Sequence, residues 1–180
     1  VVPRRGELLV FDKLARPLVD VIVLPVPTAK GKGVLVSPTV FGNVMLGPTA
    51  EEVPDRGDTS TSDAGFAFLL GHGRRLLPAL LDVDVTAAYA GLRAATEHAD
   101  YVVDVDAGQR YVLLGGIRST GLTASMALAE HTVGLLREAG ADLRPRPVLP
   151  PPARMPNIGE AFVRPYQDAE RIAQDPAYGR

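Results

Sequence analysis

Residues 111–125 constrain the fold of this chain most strongly, because they combine a strand pattern, a glycine turn and the start of a helix. The first of them, residues 111–114, form an apolar run that is long enough for a strand. Gly115, Gly116 and Gly121 then allow backbone angles that residues with a Cβ avoid. The helical spacing that follows is carried by five apolar residues: Leu122, Met126, Ala129, Val133 and Leu136.

The start of that helix offers backbone N–H groups to a ligand. These groups have no partner within the helix, and the helix dipole adds a positive partial charge. The hydroxyls of Ser119, Thr120 and Thr123 can cap them, but a phosphate, a carboxylate or an electron-rich ring carbonyl can also bind there. Strand–glycine–helix junctions are common and most bind no ligand, so the pattern alone leaves both interpretations open.

The rest of the chain predicts an antiparallel meander rather than alternating strands and helices. Turn signals such as Phe41-Gly-Asn43 separate short runs of strand-forming residues. Strands are expected at residues 6–12, 20–26, 34–37, 44–46, 83–92, 101–105 and 111–114. Helices are expected near residues 62–77, 122–139 and 167–174. Ser60, Thr61 or Ser62 can cap the first of these helices, and the apolar stripe of the second is expected to cover sheet surface. The predicted fold class is α+β, with a mainly antiparallel sheet from residues 6–47 and 83–93 and the helix near 62–77 packed on it.

Composition excludes several classes of function. The net charge of −2 gives no general reason to expect nucleic acid as a partner, and no apolar run approaches the roughly 18 residues of a membrane span. Without cysteine there is no disulfide and no thiol nucleophile. The three histidines are too dispersed for a metal site, and the Lys/Gly run at residues 29–33 is interpreted as a hairpin turn. Since the N-terminus lacks a signal-peptide hydrophobic region, we expect a cytoplasmic protein. A chain without cysteine is also compatible with secretion.

Residues 116–125, Gly-Ile-Arg-Ser-Thr-Gly-Leu-Thr-Ala-Ser, resemble the C-terminal flavin-contacting motif of the D-amino-acid-oxidase-like FAD oxidoreductases. The branch that the chain resembles is that of FAD-dependent glycerol-3-phosphate dehydrogenases and 2-hydroxyacid oxidases, and the likeness extends from about Pro3 to Tyr178. It implies that the last strand of an FAD-binding domain ends here and that the helix start faces the flavin. The implied flavin contacts are Gly116, Ile117, Arg118, Ser119, Thr120, Gly121, Leu122 and Thr123.

Arg93 directly follows the strand that is predicted at residues 83–92. The segment Tyr89-Ala-Gly-Leu-Arg93 resembles the family segment in which an arginine holds the anionic group of the substrate. A guanidinium suits this role, because it stays charged and binds a carboxylate or phosphate with a two-pronged fork. From spacing alone, a surface arginine in an ion pair is the alternative. Arg118 is implied either to help hold the substrate or to lie beside the flavin.

The sequence lacks the Gly-x-Gly-x-x-Gly turn that holds the FAD pyrophosphate in such proteins. We therefore expect the N-terminal FAD-binding half to be missing from this chain. The resemblance implies a substrate-binding domain at residues 1–100, the last strands and C-terminal helix of the FAD-binding domain at 101–140, and a Pro-rich extended tail at 141–180. Phe41 stands where relatives often have histidine, and Ala94 where they often have proline, which is expected to loosen the loop after Arg93.

For the full-length protein, the resemblance implies oxidation of a small anionic alcohol or amine, of the glycerol 3-phosphate or 2-hydroxyacid type, by hydride transfer to FAD. No general base is identified in the sequence. The 180-residue chain by itself is expected to be inactive and not to retain FAD. The alternative is a non-catalytic α+β module that uses the sheet for small-anion binding or subunit contact, and homo-oligomerisation stays open.

Overall fold

Five strands form the main sheet in the computed structural model of this protein, which describes residues 2–27, 32–144, 148, 163 and 167–176. Strand β1 (Val2–Phe11) lies between β3 (Val44–Gly47) and β4 (Glu51–Glu52), β2 (Leu35–Pro38) pairs with the other edge of β3, and β5 (Val85–Ala95) also pairs with β1. The pairs β1–β3 and β2–β3 are antiparallel. The combination of antiparallel sheet and helices confirms the predicted α+β class.

Two further strands, β6 (Val102–Asp106) and β7 (Tyr111–Gly115), form a separate antiparallel hairpin. The described α-helices are α1 (Asp63–Leu76), α2 (Gly121–Glu138) and α3 (Ala169–Gln174), and 3-10 helices span Lys13–Leu18 and Pro78–Asp82. Within the described ranges, no helix has the length and apolar character that a membrane crossing requires.

The chain divides into two compact units. The described residues of the first unit fall in Val1–Arg4, Glu52–Arg56 and Leu92–Ala153, and we call it the hairpin unit. Those of the second fall in Arg5–Glu51, Gly57–Gly91 and Arg154–Arg180, and we call it the sheet unit.

The turn between β2 and β3 confirms the prediction at Phe41-Gly-Asn43. Gly42 adopts a φ of +96°, which favours glycine, and the Thr39 N–H donates to the Asn43 carbonyl at 2.8 Å. The Asn43 side chain also donates to the carbonyl of Phe11 on β1 at 3.1 Å. The turn therefore closes the hairpin and ties it to the neighbouring strand.

An apolar cluster in the sheet unit joins β1 and β3 to α1. Leu9 and Phe11 of β1 stand opposite Leu46 and Val44 of β3, and all four are at most 2% exposed. Leu69 of α1 is fully buried in the same cluster. Since burial of one such side chain stabilises the fold by about 1.5–3 kcal/mol, this contact accounts for the predicted packing of the helix near residues 62–77 on the sheet.

The inner face of β1 changes from charged to apolar along the strand. Arg5 and Glu7 are as deeply buried as the apolar residues that follow on the same face, at 7% and 2% exposure. The Arg5 guanidinium donates to Glu51 at 2.7 Å, to Asp58 at 2.8 Å and to Ser60 at 3.1 Å. Partners of this kind are what make a buried charge tolerable.

Glu7 fixes the start of α1. Its carboxylate accepts hydrogen bonds from the backbone N–H and the hydroxyl of Ser62, both at 2.9 Å. The same hydroxyl accepts from the Gly65 N–H at 3.0 Å, so Ser62 is the N-cap of α1, one of the three residues predicted to cap this helix. Gly65 lies so close that a Cβ there would be 2.3 Å from a Glu7 carboxylate oxygen.

The second predicted strand, residues 20–26, is wrong. In the described part of this segment, pairing is limited to an isolated bridge between Val23 and Val36 of β2. Pro25 and Pro27 lack the N–H that a ladder needs, so the segment cannot continue along the edge of β2.

The hairpin unit follows the predicted order of strand, turn, strand and helix. Val103 of β6 stands opposite Leu114 of β7, and α2 ends just before Gly140, which has a φ of +81°. The predicted burial of the apolar stripe of this helix is wrong. No residue of α2 is buried, and Leu122 and Met126 are 91% and 80% exposed. The hairpin has two strands, one fewer than a sheet ordinarily needs for a stable apolar face.

Most of the predicted turn at residues 29–33 and most of the Pro-rich tail at 141–180 lie outside the described residues. Within the tail, α3 confirms the short helix that is expected near residues 167–174. Strand β5 extends beyond the predicted 83–92 to Ala95, so Arg93 lies within a strand rather than after one.

Replacing Gly65 with alanine is expected to lower the free energy of unfolding by about 1–3 kcal/mol, because the new Cβ overlaps the Glu7 carboxylate. That carboxylate cannot move away without losing its hydrogen bonds to Ser62. Gly71→Ala in the same helix is the matched control. No atom lies within 4 Å of its Cβ position, so alanine should raise the free energy of unfolding by about 0.5–1 kcal/mol. Urea unfolding measures both, and equal effects would contradict the packing of α1 on Glu7.

Candidate functional site

The glycine turn at residues 115–121 joins β7 to α2, and two of its glycines have little space for a side chain. Gly116 is buried and has a φ of +66°, and a Cβ there would lie 3.2 Å from the Thr96 hydroxyl oxygen and 3.6 Å from the Asp100 carbonyl oxygen. A Cβ on Gly121 would lie 2.7 Å from a methyl carbon of Ile117. Both positions therefore need glycine, Gly116 for its backbone angle and Gly121 for the space.

A second turn, at residues 96–101, lies against the glycine turn. Arg118 Nη2 donates to the carbonyl oxygens of His98 and Ala99, each at 2.9 Å. The hydroxyls of Tyr101 and Thr120 are hydrogen-bonded to each other. These contacts join positions that are 19 and 20 residues apart. The sequence shows residues 96–100 only as a polar turn, and no spacing pattern indicates this pairing.

The predicted cap at Thr120 does not form. Thr120 is the N-cap residue of α2, but its side chain makes no capping hydrogen bond and bonds to Tyr101 instead. The N–H groups of the first helical turn therefore keep the positive partial charge that a helix start presents. Ser119, Leu122 and Thr123 are exposed, whereas Ile117 and Arg118 are half-buried.

Arg93 lies in the same unit as both turns, three residues before Thr96. Its side chain is half-buried, and this burial lowers the pKa of Arg93 below the ordinary value of an arginine. The positive charge of Arg4 lowers that pKa further, and Arg4 itself donates to Glu52 at 2.7 Å. The guanidinium of an arginine keeps its charge at neutral pH, so Arg93 remains a partly desolvated cation.

Among the residues that the structure describes, no three or more acidic, histidine or cysteine side chains are grouped so that they could hold a metal ion. Arg75 Nη2 lies 2.9 Å from Nδ1 of His72. Burial lowers the pKa of His72, and the charge of Arg75 lowers it further. His72 is thus engaged by an arginine on its own helix.

A family model described as FAD dependent oxidoreductase matches residues 1–135 of the chain. The sequence is 36% identical over 140 residues to a glycerol 3-phosphate dehydrogenase of Caloramator mitchellensis, across 76% of this chain and 29% of that protein. It is 32% identical over 136 residues to a glycerol 3-phosphate oxidase of Mycoplasma genitalium, across 74% of this chain and 35% of that protein.

The fold is also similar to a solved structure, the dithionite-reduced L-alpha-glycerophosphate oxidase of Mycoplasma pneumoniae with FAD bound. The TM-score is 0.64 at 31% identity, across 76% of this chain and 36% of that one. This chain therefore spans 29% to 36% of the length of these similar proteins.

Replacing Gly116 with alanine is expected to lower the free energy of unfolding by about 1–2 kcal/mol, because residues with a Cβ avoid its left-handed backbone angle. Gly134→Ala, in the middle of α2, is the control. Its Cβ position has no neighbour within 4 Å, so alanine should raise the free energy of unfolding by about 0.5–1 kcal/mol. Urea unfolding followed by circular dichroism measures both. A neutral Gly116→Ala would mean that the glycine turn does not need its observed conformation.

Proposed function

Because this chain belongs to the family of FAD dependent oxidoreductases, we propose that it is part of an enzyme that oxidises a small anionic alcohol or amine. The proposed substrate is of the glycerol 3-phosphate or 2-hydroxyacid type. The observation that carries this proposal is the similarity to proteins named glycerol 3-phosphate dehydrogenase and glycerol 3-phosphate oxidase. Residues 1–100 would bind the substrate, and residues 101–140 would complete the FAD-binding domain.

The exposed apolar surface of the hairpin unit supports the second assignment. Leu122 and Met126 of α2 are largely exposed, as are Tyr111 and Leu114 of β7, at 53% and 45%. Each large apolar side chain that a partner surface buries would gain about 1.5–3 kcal/mol. The proposed occupant of this surface is the remaining FAD-binding polypeptide of the full-length protein, which the similar proteins have the length to include.

The residues of the glycine turn fit one end of a flavin. The helix start at residues 119–123 carries N–H groups that its N-cap side chain leaves uncapped, in an exposed position. When FAD is bound, its ring would accept the hydride that leaves the substrate carbon. The contribution of the chain would be electrostatic, because N–H groups aimed at the ring stabilise the negative charge that reduction adds. The proposed contacts are residues 116–123, as the resemblance to the flavin-contacting motif implies.

Arg93 is the proposed anchor of the substrate anion. Its half-buried guanidinium offers the planar, two-pronged geometry that carboxylates and phosphates prefer. The nearby charge of Arg4 adds to the positive potential, even though Arg4 is paired with Glu52. A bound anion could pair with the positive charge of Arg93, whereas an uncharged alcohol could not.

The 180-residue chain is expected not to retain FAD after purification, because the glycine turn holds only one end of a long cofactor. A longer protein that contains this chain together with its FAD-binding half should be yellow. Absorbance near 450 nm and flavin release on denaturation measure both samples. Stoichiometric flavin in the 180-residue chain would overturn the proposed division of the cofactor site, and a colourless longer protein would overturn the proposed activity.

In the longer protein, Arg93→Ala is expected to remove a charge-assisted contact with the substrate anion. Such contacts contribute about 1.5–3 kcal/mol, which corresponds to a roughly ten- to hundredfold loss in kcat/KM. Flavin content should not change, and Arg93→Lys should recover only part of the loss, because an ammonium lacks the planar fork. Steady-state kinetics with glycerol 3-phosphate test the substitution. Loss of flavin, or normal kinetics, would show that Arg93 does not hold the anion.

A further inference from the structure

The guanidinium of Arg118 is bonded to the backbone of the neighbouring turn. One nitrogen, Nη2, donates to two successive carbonyl oxygens, those of His98 and Ala99, each at 2.9 Å. Hydrogen bonds from a charged donor are stronger than those between neutral groups. The Arg118 side chain thereby holds two carbonyl groups of the turn at residues 96–101, which follows Arg93 in the chain.

We propose that Arg118 is a positioning residue, which fixes Arg93 relative to the glycine turn through the turn at residues 96–101. This inference rests on the proposed function, in which Arg93 holds the substrate anion and the glycine turn faces the flavin. It assigns to Arg118 a contact with the protein backbone in place of a direct contact with the substrate.

The surroundings of Arg118 argue against a direct anion contact through Nη2. The two carbonyl oxygens already lie at hydrogen-bond distance from this nitrogen. Each carries a partial negative charge, so a phosphate or carboxylate brought to Nη2 would meet two like charges and would have to displace them. The same oxygens are ideal partners for a guanidinium that holds a turn in place.

The position of Arg93 depends on this turn through a short connection. Thr96 lies three residues after Arg93, about 10 Å along an extended chain, and its hydroxyl oxygen lies 3.2 Å from the position that a Cβ on Gly116 would take. The hydroxyl pair of Tyr101 and Thr120 adds a contact at the far end of the same turn. The carbonyl groups that Arg118 holds, at residues 98 and 99, lie between Thr96 and Tyr101 in the chain. A displacement of about 1 Å in the geometry of a reacting complex can lower the rate up to a hundredfold. The two turns must therefore keep their positions relative to each other.

A double-mutant cycle in the longer flavoprotein tests the proposal. Arg118→Ala is expected to lower kcat/KM by about tenfold with unchanged flavin content, since it removes hydrogen bonds from a charged group. The double variant with Arg93→Ala should be no slower than Arg93→Ala alone, because Arg118 acts through Arg93. Arg144→Ala is the control. Arg144 is exposed and bonded to the nearby Asp142, so its loss should leave kinetics unchanged.

Hydrogen exchange on the 180-residue chain supplies the second measurement. Arg118→Ala should speed amide exchange in residues 96–101 and 116–121 together, whereas Arg144→Ala should not. Exchange that stays unchanged in both turns overturns the proposal.

The kinetic outcomes separate two kinds of failure. If Arg93→Ala acts as expected but the losses multiply in the double variant, Arg118 contacts the substrate independently and the positioning role is wrong. If Arg93→Ala has normal kinetics, the proposed anion site is wrong, and the positioning role fails with it.

Discussion

The sheet unit depends on the buried charges at the start of the inner face of β1. Arg5 and Glu7 occupy positions where an alternating strand would ordinarily place apolar side chains. A buried carboxylate is costly unless its oxygens are satisfied, and Glu7 obtains its partners from Ser62. Because those partners are the N-cap of α1, the helix start is fixed on β1 by the requirement that the charge be satisfied. Once the helix start is fixed, Leu69 of α1 packs in the same buried cluster as Leu9 and Phe11 of β1.

The hairpin unit is held together in a different way. Its helix buries no residue, so the apolar contribution that stabilises the sheet unit is absent from α2. The described contacts at its junction are the hydrogen bonds that Arg118 donates, the hydrogen bond between the hydroxyls of Tyr101 and Thr120, and the tight surroundings of Gly116. A hydrogen bond contributes about 0.5–1.5 kcal/mol net, less than the burial of a single leucine. This imbalance supports the proposal that the apolar face of α2 packs against further polypeptide in a longer protein.

The sequence predicted what is encoded locally. The hairpin at Phe41-Gly-Asn43, the cap at Ser62 and the order of strand, glycine turn and helix all depend on residues that are close in the chain. Contacts between distant positions escaped prediction, since neither the pairing of Arg118 with residues 98 and 99 nor the burial of Glu7 leaves a periodic signal. The error at residues 20–26 has another cause: β-branched composition favours a strand, but prolines prevent the ladder.

The position of Arg93 shows how one of these differences changes the proposed anion site. The sequence suggested a loop after Arg93, loosened by alanine at a position where relatives often have proline. The structure instead continues β5 through Ala94 to Ala95, which is 1% exposed. Proline within a strand removes a ladder N–H, so alanine is the residue that lets the strand continue past Arg93. A site residue on a strand is held more firmly than one on a loop. The remaining freedom between Arg93 and the start of α2 therefore lies in the turn at residues 96–101, the segment to which Arg118 is hydrogen-bonded.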